Sequence, residues 1–249
     1  FDDGWDAYRE ATFRRQLEMG VIPEGTKLTP RDETLQGWDE IPEEQREFQT
    51  RGMELFAGFV EHTDVQVGRL IEGLEGRGLR DDTLIFYIFG DNGSSAEGQR
   101  GSISELLAQN NIPNTIEQQL EALERIGGIE ELGGPRTENM YHAGWAWAGS
   151  TPFKGTKLLG AYFGGTRNPM VVSWPDRIEH DGEMRTQFHH VVDIAPTIYE
   201  LLEITPPQVV NGHAQMPIDG VSLAFEVEAA AAVVVEELLG LARLGVRVV

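Results

Sequence analysis

The segment Thr83 to Gly93, T-L-I-F-Y-I-F-G-D-N-G, constrains the fold more than any other part of the chain. A continuous Leu/Ile/Phe/Tyr run closed by turn residues has the pattern of a strand buried on both faces of a parallel sheet. Open α/β sheets carry their chemistry just beyond the carboxyl ends of such strands. Asp91 and Asn92 stand at that end and offer a carboxylate and an amide oxygen side by side. These are hard oxygen donors, suited to calcium or magnesium rather than zinc or copper. The same three letters, D-N-G, also make an ordinary turn, so the segment by itself leaves both readings open.

The flanking sequence supplies the other layers of an α/β unit. Residues 4 to 20 read as an amphipathic helix with Tyr8, Phe13 and Leu17 on a related face. From Pro42 to Gly76, Leu55, Phe56, Phe59, Val60, Val67, Leu70, Ile71 and Leu74 recur near i, i+3, i+4 and i+7, the spacing of one helix face. Gly76 and Gly78 end that helix, and the strand follows Asp81-Asp82. Residues 94 to 150 are polar and long for a crossover. Asn114-Thr-Ile-Glu117 resembles a capping box before a helix at Ile116 to Ile126, and the stretch reads as an insertion over the strand end with short helices of its own. M-V-V-S-W, within Pro169 to Pro175, predicts a second strand. Asp193 is placed to cap a helix through Ile194, Ile198, Leu201 and Leu202, with Pro196 tolerated in its first turn.

Charge narrows the partners. Twenty Lys+Arg against 41 Asp+Glu give a formal net charge of -21, a surface that repels phosphate backbones and anionic lipid. Neither nucleic acid nor a membrane is therefore expected as a partner. An anionic small molecule needs a local cation to bind. Without cysteine there is no disulfide, thiolate metal site or cysteine nucleophile among these 249 residues. No run approaches a membrane span and no signal peptide opens the chain, which predicts a soluble segment of undetermined compartment and oligomeric state. F-D-D-G-W-D at residues 1 to 6 reads as the middle of a protein, so a longer parent is expected.

Cations concentrate in Thr151 to Pro175, T-P-F-K-G-T-K-L-L-G-A-Y-F-G-G-T-R-N-P-M-V-V-S-W-P, where Lys154 and Lys157 precede a Gly-Gly pair. Such a loop either neutralises a bound oxyanion or is merely solvated. Taken with E-H-T-D-V-Q-V-G-R-L-I-E-G-L at Glu61 to Leu74, the D-N-G strand and F-H-H-V-V-D-I-A-P-T-I at Phe188 to Ile198, it resembles the sulfatases of the alkaline-phosphatase superfamily, of arylsulfatase type. The resemblance extends over most of residues 1 to 223.

The resemblance implies an alkaline-phosphatase-like α/β sandwich, present as a fragment, with a mostly parallel central sheet flanked by helices. It implies a hydrolase of small-molecule sulfate monoesters using Ca2+, with Mg2+ possible. Asp91 and Asn92 match the family's D-N metal ligands, and Lys157 matches the lysine that contacts the sulfate and assists the departing oxygen. The family's nucleophile is a formylglycine in a C/S-x-P-x-R element upstream of D-N-G. That element, with the other metal ligands, the first lysine and the active-site histidines, is expected before Phe1. Ser173-Trp-Pro-Asp-Arg177 fits the element by letter but stands at a strand end downstream of the ligands, where the family has a structural S-W-P. A phosphate or phosphonate monoesterase of the same superfamily is the alternative enzyme. An acidic calcium-binding remnant without activity is the alternative from another class.

The remaining candidates read as structural. His142 in Y-H-A-G-W-A-W is expected to be a packed or surface histidine rather than to enter a cleft. Of the adjacent His189 and His190, one is expected buried near the helix start and the other exposed. His62 and Asp64 belong to the long helix. Trp145, Trp147 and Phe153 read as core before aryl pocket, and Arg167 as a fixer of its loop or the sheet end. After Leu223 the family pattern disappears. Residues 224 to 249 form an Ala/Val-rich tail consistent with an altered or truncated reading frame, which the coding DNA would reveal by a normal family continuation in another frame.

Overall fold

The computed structural model describes residues 1–178 and 184–224. The Ala/Val-rich tail beyond Ala224 lies outside the described residues. The chain divides into two compact units, one of residues 1–70 with 88–169, the other of residues 71–87 with the described part of 170–235.

The first unit is helical. Helix α1 (Gly4–Glu18) is the one expected near residue 4, but its buried face differs from the one read from sequence. Tyr8, Phe13 and Leu17 are only half-buried, whereas Trp5, Arg9, Thr12 and Gln16 are buried. These four recur at i, i+4, i+7 and i+11, one stripe of a helix. A polar stripe is tolerated there because Arg9 and Gln16 find backbone carbonyls to bond. Helix α2 (Glu43–Glu75) matches the periodic segment almost to its ends. Its buried residues are Phe48, Gln49, Thr50, Gly52, Met53 and Val60, however, while Phe59 and Leu70 are 66% and 67% exposed. Of the apolar row read from sequence, Val60 is buried, Leu55, Phe56, Val67, Ile71 and Leu74 are half-buried, and Phe59 and Leu70 are exposed.

Trp5, Trp38 and Trp145 make the centre of this unit. Trp5 meets Trp38 and Trp145 edge-on, at centroid separations of 4.9 Å and 5.7 Å. Such edge-to-face pairs set the negative face of one ring against the positive rim of the next. A second cluster joins Phe48 of α2 to Ile116 and Leu123 of α4. The short helices expected between residues 94 and 150 are α3 (Glu105–Gln109), α4 (Ile116–Ile126) and α5 (Ala143–Gly149). The capping box of α4 is displaced by one residue from the sequence reading. Thr115, not Asn114, is the cap: its Oγ1 accepts from Gln118 N–H, and Gln118 Oε1 accepts from Thr115 N–H. Glu117 instead accepts from the Gln45 amide at 2.7 Å. Asn114 instead accepts from the Gln119 amide.

The second unit carries strands β1 (Ile85–Ile88) and β2 (Met170–Ser173), hydrogen-bonded neighbours in a two-stranded sheet. Both strands were expected from their apolar runs. Burial of β1 on both faces was also expected, and the structure corrects it: its first three residues are half-buried and Ile88 is 39% exposed. A strand with one hydrogen-bonded neighbour and a core on one side has surface left for water. The core here is Val172, Trp174, Ile178 and Leu201, with Leu84 and Phe86 packed against it. Helix α7 (Ile194–Leu201) carries Pro196 in its first turn as expected. Asp193 occupies the cap position but its carboxylate turns elsewhere, accepting from His190 N–H at 2.8 Å and Val221 N–H at 2.9 Å. A second two-stranded sheet pairs β3 (Val209–Val210) antiparallel with β4 (His213–Ala214). The described strands therefore make a mixed α/β chain whose sheets have two strands each, smaller than the mostly parallel central sheet expected.

Candidate active site

Strand β1 delivers the chain to Gly90, and the backbone there bends twice. Gly90 and Gly93 have φ of 78° and 87°, a left-handed conformation that favours glycine. Between them Asp91 and Asn92 are both exposed, and neither side chain makes a hydrogen bond among the described residues. The turn itself is held from behind. Gly93 N–H donates to Asn168 Oδ1 at 3.0 Å, and a Cβ at Gly93 would collide with the carbonyl of Gly164. The D-N-G turn is thus packed against the Gly-Gly pair of α6 (Phe163–Thr166), which explains why three glycines meet there.

The lysine loop approaches the same turn. Lys157 N–H donates to Ser94 C=O at 2.9 Å, two residues beyond Asn92. Its ammonium ends on Glu97 Oε2 at 2.7 Å, with both side chains about three-quarters buried. Ser95 Oγ donates to the same carboxylate oxygen, again at 2.7 Å. The bonds from Lys157 first and Ser95 second hold the Glu97 carboxyl below its ordinary range. Lys154 is placed differently. Its side chain is exposed, 3.7 Å from Asp32 and over the Tyr162 ring. Leu158, directly after Lys157, has φ of 74° and a side chain 79% exposed.

Arg9 fixes the root of this loop from α1. Its guanidinium donates to the carbonyls of Trp147, Pro152 and Phe153 and to the hydroxyls of Thr29 and Thr151, and it lies 4.2 Å from the centre of the Trp147 ring. Burial lowers its pKa to about 9, which leaves it charged at neutral pH. Gln16 adds a bond to Thr151 C=O at 2.9 Å. Neither residue was singled out from sequence, nor were Glu97 and Asn168. The usable signal was the spacing of Trp5, Arg9, Thr12 and Gln16, which puts polar groups on one stripe with a tryptophan.

The other candidates take structural roles, with His189 and Phe153 half-buried rather than buried as expected. His142 is 3% exposed, stacks on Trp5 at 4.3 Å, and accepts from Gly144 N–H through Nδ1. Burial, with Arg100 nearby, lowers its pKa to about 4. Trp145 and Trp147 are core. Phe153 packs edge-on with Phe163 beneath the Arg167 guanidinium, so Arg167 does fix its loop. His189 is half-buried and His190 exposed, the latter accepting from Val192 N–H. His62 is exposed on α2. Ser173 Oγ receives a bond from Arg80 at the end of β2, a structural engagement unlike that of a nucleophile. No group of three or more His, Cys, Asp or Glu side chains able to hold a metal occurs among the described residues.

Comparison with known proteins identifies the family. The sulfatase family model matches residues 31–204. The chain belongs to the sulfatase family, hydrolases of sulfate esters with an alkaline-phosphatase-like α/β fold. It is 31% identical over 210 residues to an uncharacterised sulfatase of Schizosaccharomyces pombe, covering 83% of this chain and 35% of that protein. It is 24% identical to an arylsulfatase of Klebsiella aerogenes, covering 90% of this chain and 45% of the bacterial protein. Human arylsulfatase D is 23% identical over 66% of this chain and 21% of its own length. The chain thus spans less than half the length of each of these curated relatives.

Proposed function

We propose that this chain supplies the Asp91–Asn92 and Lys157 side of a sulfatase active site, in a protein that hydrolyses aryl or alkyl sulfate monoesters. The observation that carries the reading is the Lys157 N–H to Ser94 C=O bond, which ties the cationic loop to the turn bearing both oxygen donors.

Asp91 and Asn92 suit a divalent cation by donor chemistry and presentation. One anionic and one neutral oxygen project into solvent from a backbone fixed at Gly93. Calcium is the first choice and magnesium the second. Two residues are part of a shell that takes about six to eight oxygens around calcium. In this reading the remaining donors and the formylglycine nucleophile belong to sequence outside this chain. When bound, the cation supplies Lewis-acid stabilisation of negative charge on the sulfuryl oxygens. Lys157 brings a second positive charge toward those oxygens, and its Nζ carries the proton that the departing alkoxide or phenoxide takes up. In a chain of net charge -21, these local cations are what lets an anionic ester settle.

Titration calorimetry with calcium tests the first half of this reading. Binding by the chain that disappears in Asp91→Ala supports a site at the turn, whereas tight binding that survives the substitution points to a general acidic calcium-binding module. The chain alone is expected to leave a chromogenic aryl sulfate uncleaved, and cleavage at an enzyme-like rate would sink the half-site account. For the full-length protein, a panel of sulfate, phosphate and phosphonate monoesters decides the ester class: turnover favouring phosphate rejects the sulfatase reading.

A further inference from the structure

Glu97 is set unlike an ordinary surface partner of a lysine. Its Oε2 takes bonds from both Lys157 Nζ and Ser95 Oγ, and Ser95 Oγ in turn accepts from Glu97 N–H at 3.4 Å. The carboxylate is therefore fixed by its own turn before the lysine reaches it. Lys157 is held at both ends by one short stretch of chain, its backbone by Ser94 and its ammonium by Glu97. Lys154, three residues away, ends on an exposed aspartate at 3.7 Å and has no comparable hold.

A carboxylate beside an anion-contacting lysine has two opposite effects. It repels the incoming anion, and it freezes a four-carbon stem whose freedom otherwise has to be given up when substrate binds. Only the second effect serves catalysis, because a group already in place lowers the entropic part of the barrier. We infer that Glu97 is the positioning residue for Lys157, trading some affinity for the anion against a fixed aim of the ammonium. The inference rests on Lys157 being the sulfate-contacting residue.

The test uses the chain with 15N-labelled lysine and inorganic sulfate as the probe. In the wild type the Lys157 ammonium is expected to give a resolved, slowly exchanging NMR signal that shifts as sulfate is added. In Glu97→Gln, with the backbone spectrum otherwise preserved, that signal is expected to broaden through fast exchange. The sulfate midpoint, read from the Lys157 backbone amide, is expected to fall about two- to fivefold, the range of a partly exposed ion pair. Glu97→Asp keeps the charge and is expected to retain the wild-type midpoint. In the full-length protein, Glu97→Gln should lower kcat and KM together, whereas loss of folded enzyme alone lowers apparent kcat and leaves KM unchanged.

A Lys157 ammonium signal indifferent to Glu97→Gln overturns the positioning role and leaves the sulfatase reading standing. If Glu97→Gln frees the ammonium but sulfate leaves Lys157 unmoved in both proteins, the anion-contacting reading of Lys157 fails and the positioning role falls with it.

Discussion

The lysine loop and the D-N-G turn belong to one candidate site but are built on opposite plans. The loop is anchored by side chains: Arg9 and Gln16 of α1 hold the carbonyls at its root, and Glu97 holds the Lys157 ammonium. The turn is anchored only through its backbone, at Gly93, while Asp91 and Asn92 extend into solvent. A cation that must be aimed is prearranged, whereas oxygen donors that close around an ion are left free to adjust. Calcium's tolerance of variable coordination geometry fits the second plan.

Substitutions that strike the two anchors separate the plans. The largest effect is expected from Arg9→Met, which removes a buried cation and strands several carbonyls and hydroxyls inside the protein. A loss on the order of 3 kcal/mol or more in urea unfolding is expected; a loss below about 1 kcal/mol would show that the loop does not depend on Arg9.

Acid should strike the same unit through His142. Its folded pKa, about 4, lies below the unfolded value of 6.5, so the folded state binds fewer protons between them. Stability from keeping His142 neutral is therefore fully present above pH 6.5 and is lost as pH falls toward 4, by about 3 kcal/mol in all. His142→Asn, whose amide oxygen can replace Nδ1 as acceptor for Gly144 N–H, should flatten that part of the pH profile. An unchanged acid slope would assign it to carboxylates instead.

Gly93→Ala tests the backbone anchor of the turn. A left-handed φ and the collision with the Gly164 carbonyl together are expected to cost about 2 kcal/mol, and calcium binding should weaken with it. The smallest change is expected from Asp91→Ala, within about 0.5 kcal/mol in metal-free buffer, because the side chain supports nothing in the fold. A large loss there would mean that the turn's side chains are structural after all, and the contrast would collapse.

Much of this was legible in the letters. The α2 boundaries follow from the spacing of its apolar residues and from Gly76, and the second strand follows from M-V-V-S-W. D-N-G and the T-P-F-K-G-T-K loop could be named as a candidate site because both have recognisable residue patterns. Their connection through Ser94 could not, since a backbone bond across 63 residues leaves no mark on side-chain identity. Arg9 and Gln16 were hidden for a different reason: polar residues on a helix ordinarily signal solvent, and their bonds to the loop carbonyls are what suit them to the interior. The α4 cap was misplaced by one position because Asn114 and Thr115 are both competent caps, and geometry chose between them. Burial of β1 was overestimated because an apolar run reports what a strand can bury, not how many neighbours it has.

The left-handed backbone at Leu158 has a consequence for anyone hoping to improve this protein. A bulky residue held in that conformation stores about 1–2 kcal/mol, and its exposed side chain returns little in packing. Leu158→Gly would release the strain, yet it would also loosen the joint on which the neighbouring ammonium turns. Thermal robustness and accuracy of aim would then move in opposite directions, and a screen that rewards only survival at high temperature would select the blunter version of the loop.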